Sequence, residues 1–138
     1  MKNKFCVLIL FVVILVLSAE AKDNKVDVDF SKLNSMVAYS GLFDMMIHPE
    51  QLGKTIRIKG QYDSAQDPDT GTTFFGVVVM DASMCCATGL DFVLKDKYKY
   101  PDDYPELGAV VTVTGKFERY VEGEDTYYHL TNADLLKQ

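Results

Sequence analysis

The sequence predicts a mainly β fold, a small five-stranded barrel with a short N-terminal helix. Three observations carry this expectation. Alternation of apolar and polar residues begins after Gly53, and five strand-like segments follow one another from there. Turn-forming Gly, Pro and Asp residues separate those segments. The one stretch with helical spacing lies ahead of them, between about residues 32 and 48.

The chain begins Met1-Lys2-Asn3-Lys4, a short basic stretch, followed by an unbroken apolar run from Phe5 to Leu17. Roughly 20 apolar residues are needed to span a bilayer, so this run suits the apolar segment of a signal peptide. Ala19-Glu20-Ala21 then places small residues where a signal peptidase requires them. The expected division is a signal peptide at 1–21, a polar acidic tether at 22–34 and one domain at 35–138. The expected location is secreted or extracytoplasmic. Retention at the membrane through an uncleaved signal segment is the alternative, and that segment is the only membrane contact expected. Glu20 stands where lipidation would need a cysteine.

The formal net charge is −6. An acidic surface repels phosphate backbones, so nucleic acid is not an expected partner. Lys95, Lys97 and Lys99 alternate, but Asp96, Asp102 and Asp103 surround them, which reads as a solvated mixed-charge segment.

Each element has a local reason. Ser31 is a candidate cap for a helix starting near Lys32, and Met36, Val37, Leu42, Phe43, Met46 and Ile47 give partial helical spacing. Gly41 weakens that helix, so a strand at Val37 to Ser40 followed by a helix from Leu42 to His48 is an equal alternative. Pro49 ends the segment, because the residue before proline avoids the helical region. Thr55 to Tyr62 alternates as a half-buried strand. Asp67-Pro68-Asp69-Thr70-Gly71 is a turn, in which Pro fixes φ, Asp accepts local hydrogen bonds and Gly permits positive φ. Thr73 to Met80 is a β-branched and aromatic run expected to be buried on both faces over part of its length. Leu90 to Leu94 is the third strand, and Tyr98 to Gly108 a loop. Ala109 to Tyr120 is a long strand, Thr126 to Leu130 a fifth, and Asn132 to Leu136 a short helical tail. Five strands with a long break between the third and fourth fit a closed barrel of the OB type, with an SH3-like barrel as competitor. Gly60 and Gly115 fall inside strands, where barrels need bends or bulges.

Two segments carry a resemblance. Pro49-Glu50-Gln51-Leu52-Gly53-Lys54-Thr55-Ile56-Arg57-Ile58-Lys59-Gly60 resembles the opening of bacterial exported OB-fold proteins. Cys85-Cys86-Ala87-Thr88-Gly89-Leu90-Asp91-Phe92 is similar to the Cys-Cys-Ala segment of an uncharacterised, permease-associated family of that kind. The resemblance covers about residues 42 to 131 and implies an exported OB-fold protein without implying an activity. Thr88 and Gly89 stand where family members carry Ala and Asp, so no third acidic ligand carries over.

Cys85 and Cys86 are the only thiols left after export. Adjacent Cα atoms lie about 3.8 Å apart, below the usual disulfide range of about 4.4 to 6.8 Å. Three readings follow: a soft-metal site for Zn²⁺ or Cu(I), a strained vicinal redox pair, or two small packed side chains. A metal would need further ligands, and His48, Asp81, Asp91 and Met84 are candidates by type. The expected ligand set is Cys85, Cys86 and His48, with Zn the expected cofactor if there is one. His129, flanked by Tyr128 and Leu130, reads as a cross-strand residue. The methionines lack the tracts of copper carriers and read as core filling. Asp63, Asp67 and Asp69 precede Gly71 without the later ligands of a calcium loop. No nucleophile motif or phosphate loop appears, so an enzyme is the least supported class. Two functions are expected: a binding module for an unidentified protein or small ligand, or a metal-binding protein.

Overall fold

The computed structural model describes residues 25–137. The signal-peptide reading of 1–21 lies outside them. Among the described residues no helix is long and apolar enough to cross a membrane.

The chain runs β1 (Val28–Asp29), α1 (Ser35–Ile47), a 3₁₀ turn (Pro49–Gln51), β2 (Thr55–Gln66), β3 (Thr73–Met80), β4 (Ala87–Leu94), β5 (Val110–Glu122) and β6 (Asp125–Lys137). The fold is mainly β with one helix. Strands β2 to β6 close into a ring in the order β2-β3-β4-β6-β5, with β5 returning to β2. Within the ring only the β4–β6 pair is parallel.

Residues 25–34, read as a tether, include a packed strand. β1 pairs in parallel with β2 at Val28–Ile56 and Asp29–Arg57. Asp27 closes this contact twice: its N–H donates to the Thr55 carbonyl, and its carboxylate accepts from the Thr55 N–H at 2.9 Å. Phe30, next in line, is 7% exposed. The strand therefore precedes the helix, which is not the N-terminal element of the fold.

α1 is one continuous helix, without the strand weighed at Val37 to Ser40. Its cap is Asn34, whose side chain accepts from the Val37 N–H at 3.0 Å. Ser31 instead bonds Asp29. Ala38, Leu42 and Met45 are buried, and the helix contacts β3 and β4. Gly41 is tolerated mid-helix because Phe30 lies against it: a Cβ there would stand 2.6 Å from Phe30 Cε1.

β2 serves two partners. It pairs with β5 from Thr55 to Gln61 and with β3 from Gln61 to Gln66. Gly60 sits at that handover, where a Cβ would collide with the Val78 carbonyl. The inner face of the ring is filled by Ile56, Ile58, Val77, Leu90, Val111, Val113, Phe117 and Leu130. In β3, Val77 and Val79 are buried and their neighbours half-buried, so burial on both faces is only approached. The Asp67 turn forms as expected. Its carboxylate accepts from the Asp69 N–H at 2.7 Å and the Thr70 hydroxyl at 2.8 Å, and Gly71 takes φ +72°.

The expected helical tail is strand. β6 continues from Leu130 to Lys137 and pairs with the first half of β5. A register shift lies between Thr114 and Lys116, opposite Asn132 at φ +48°. Asparagine tolerates that left-handed conformation, and the bulge spares β6 from ending. The tail is also pinned from the β4–β5 loop. Lys95 and Lys97 both pair with Asp134, and the Leu135 N–H donates to the Tyr98 hydroxyl at 3.1 Å. Those lysines are thus anchors and not merely a solvated charge run.

Candidate metal centre

The β3–β4 hairpin is closed by residues 81–86. Strand β3 ends at Met80 and β4 starts at Ala87, so Asp81 and Cys86 face each other across the turn. The Asp81 N–H donates to the Cys86 carbonyl at 2.9 Å, and the Met84 N–H to the Asp81 carbonyl at 3.1 Å. Met84 takes φ +59°, an uncommon conformation for a non-glycine residue. It reverses the chain so that Cys85 and Cys86 return over Asp81.

The Asp81 carboxylate organises this loop. Oδ1 accepts from the Cys85 N–H at 3.1 Å and the Cys86 N–H at 3.4 Å. Oδ2 accepts from the Ser83 hydroxyl at 2.8 Å and lies 3.5 Å from the Cys85 thiol. The Ser83 hydroxyl hydrogen bonds and these backbone donors hold the Asp81 carboxyl below the usual carboxylate value.

Both thiols are free and exposed, with Sγ atoms 3.5 Å apart. The hydrogen bond with Cys85, and then the negative charge of Asp81, push the Cys86 thiol up. One oxygen of Asp81 and both sulfurs lie within 4.8 Å of one another, the only group of three or more His, Cys, Asp or Glu side chains so placed among the described residues. Two sulfurs bound about 2.3 Å from a tetrahedral zinc stand about 3.8 Å apart, close to the spacing already present.

The sequence-derived set is brought together only in part. Cys85 and Cys86 are in the group, and Asp81 is its third member. His48 is outside it. Its imidazole closes the C-terminal end of α1, between Asp44 at 3.4 Å and Glu50 at 3.0 Å. Asp91 is also outside the group, midway along β4 where its ladder with β3 ends, and the Tyr120 hydroxyl donates to it at 3.2 Å. Met84 lies in the turn, 71% exposed. Sequence reasoning missed Ser83. The sequence signal available for it was the Asp81-Ala82-Ser83 spacing, in which a hydroxyl two residues on can close on an aspartate.

Beside the turn lies a groove of about 540 Å³, reached by Asp81, Ala82 and Met84 on one side and Phe30 and Leu33 on the other. Compared with known protein families and with curated proteins, the chain matches none. What the turn does therefore rests on its own chemistry.

Proposed function

We propose that this chain is an exported OB-type binding module that holds Zn²⁺ in its β3–β4 turn through Cys85, Cys86 and Asp81. The observation that carries the reading is the mutual approach of two thiols and one carboxylate in a loop that the carboxylate itself organises. Two thiolates alone would suit Cu(I) as well as zinc. A carboxylate oxygen tilts the donor set toward zinc. Three protein ligands leave a fourth position for water or a donor from a partner, as in open zinc sites. The OB assignment is supported by the ring order β2-β3-β4-β6-β5 with a single parallel pair. Export rests on the basic start, apolar run and Ala19-Glu20-Ala21 of the sequence.

The test is metal stoichiometry. The full chain is purified under reducing conditions, loaded separately with Zn²⁺ and Cu(I), dialysed, and assayed by elemental mass spectrometry. One zinc per chain is expected, lost in Cys85→Ser/Cys86→Ser and weakened in Asp81→Asn. Retention of neither metal by the wild type would end the proposal, and preferential retention of Cu(I) would replace zinc in it.

A further inference from the structure

At the opposite end of the same hairpin, β3 and β4 separate. Their ladder runs from Met80–Ala87 to Gly76–Asp91 and goes no further. Thr73 to Phe75 stay with β2, while Phe92 and Leu94 stay with β6. The fork encloses a cavity of about 280 Å³ lined by Phe74, Phe75, Phe92, Tyr104, Tyr120, Asp91 and His129, among others. That is the liquid volume of about nine waters, just under the range of drug-sized pockets.

Its chemistry is uneven. The walls are mostly aromatic rings, and no Lys or Arg lines it. The one carboxylate, Asp91, sits at the fork, half-buried. Its Oδ2 accepts from the Tyr120 hydroxyl, and its Oδ1 lies on the Gly76 side, where a smaller adjoining pocket of about 120 Å³ is lined by Asp63, Phe74, Gly76 and Asp91. Among the described residues no donor is placed on that oxygen. The charge of the surrounding row is also acidic. Asp63, Gly76, Asp91, His129 and Glu118 align across five strands. Paired residues share a face, so Asp63 and Glu118 flank the Asp91 side. The nearby cation Lys116 is paired with Glu118 at 2.7 Å.

We propose that this fork is a second site, independent of the metal turn, which binds a small organic ammonium: the cationic group on Asp91 and its apolar body against the aromatic rings. A half-buried carboxylate beside aromatic faces favours a cation over a neutral molecule of the same shape, and disfavours an anion. His129 packs tilted against Tyr120, with ring centroids 4.7 Å apart and planes at 42°, and forms a side wall of the cavity.

The test uses three probes of one shape: phenethylamine, phenethyl alcohol and hydrocinnamate. Each is titrated into the full chain at pH 7 and followed by amide and aromatic NMR shifts. Phenethylamine is expected to shift Asp91, Tyr120 and Phe74 in a saturable way, the alcohol to bind at least tenfold more weakly, and the carboxylate not at all. Asp91→Asn is expected to lose at least tenfold in amine affinity. Cys85→Ser/Cys86→Ser, remote from the fork, should bind as the wild type does. Equal binding of amine and alcohol to the wild type overturns the proposal whether or not the variants fold. So does an absence of shifts at the fork, or full affinity in a folded Asp91→Asn.

Discussion

Gly41→Ala makes the most discriminating test of how the N-terminal strand is packed. Within an exposed helix interior this change stabilises by about 1 kcal/mol, because glycine loses more backbone freedom on folding than alanine does. Here the new methyl would lie 2.6 Å from Phe30 Cε1 and 3.4 Å from Cζ. Phe30 is nearly fully buried, so its ring must shift, toward the groove it borders, to admit the methyl. Overpacking a closed core costs about 1 to 3 kcal/mol. The net expectation is a loss of roughly 1 kcal/mol, reversing the usual sign. Phe30→Leu removes both crowding atoms and leaves an ordinary contact near the 3.5 Å of Cδ1. In that background Gly41→Ala should stabilise by about 1 kcal/mol, giving a coupling of roughly 2 kcal/mol between the sites. Urea denaturation of the four proteins of the cycle, at equal m-value, measures it. If Gly41→Ala raises stability equally with Phe30 or Leu at position 30, residues 25–34 do not pack as described.

Other outcomes follow from the same contacts. Zinc must displace protons from two thiols, and Cys86 holds its proton more firmly than a free cysteine, so apparent zinc affinity should rise roughly ten- to a hundredfold per pH unit between pH 6 and 8; competition with a chelator at fixed pH values checks this, and a flat profile counts against thiolate ligation. For Asp134, burial raises the carboxyl, but Lys95 and Lys97 outweigh it and the value ends below 3.8. Its contribution is therefore present above the unfolded value and lost as pH falls through the lower folded one. Asp134→Asn should cost about 1 kcal/mol at pH 7, discounted for partial exposure, and almost nothing near pH 2, as read from denaturation midpoints. Tyr98→Phe removes the acceptor of the Leu135 N–H and should cost about 1 to 2 kcal/mol, with faster amide exchange confined to the end of β6.

The strands were legible because their signal is local. Thr55 to Tyr62 alternates over its own length, and Asp67 to Gly71 carries every residue its turn needs. What the sequence concealed depended on distant partners. Val28–Asp29 is too short to show a period, and becomes a strand only because Ile56 and Arg57 lie alongside it. Asn132 to Leu136 has helical composition, but β5 offers it a ladder once Asn132 and the Gly115 bulge absorb the change of register. Long-range pairing overrides weak local preference in both cases. The turn at residues 81–86 divided the same way. Cys85 and Cys86 were visible as a pair, and Asp81 as one candidate among four by type; what brings Asp81 beside them while His48 stays at the end of α1 is a turn with a positive φ at Met84, which no periodicity reveals.

The hairpin sets how far its two ends can influence each other. From Met80–Ala87 to Gly76–Asp91 is four residue steps, about 13 Å at about 3.3 Å per step. The Debye length at physiological salt is about 8 Å, and both ends are open to solvent, so a zinc charge in the turn is largely screened at Asp91. Transmission through the strands would require the ladder itself to shift register, and Val77 and Leu90 are locked in the core between the two ends. Independence of the two sites is therefore the physical expectation. Loading the turn with zinc should change phenethylamine affinity at the fork by less than about twofold at 150 mM salt, and a larger reciprocal effect would mean that the β3–β4 ladder has two arrangements instead of one.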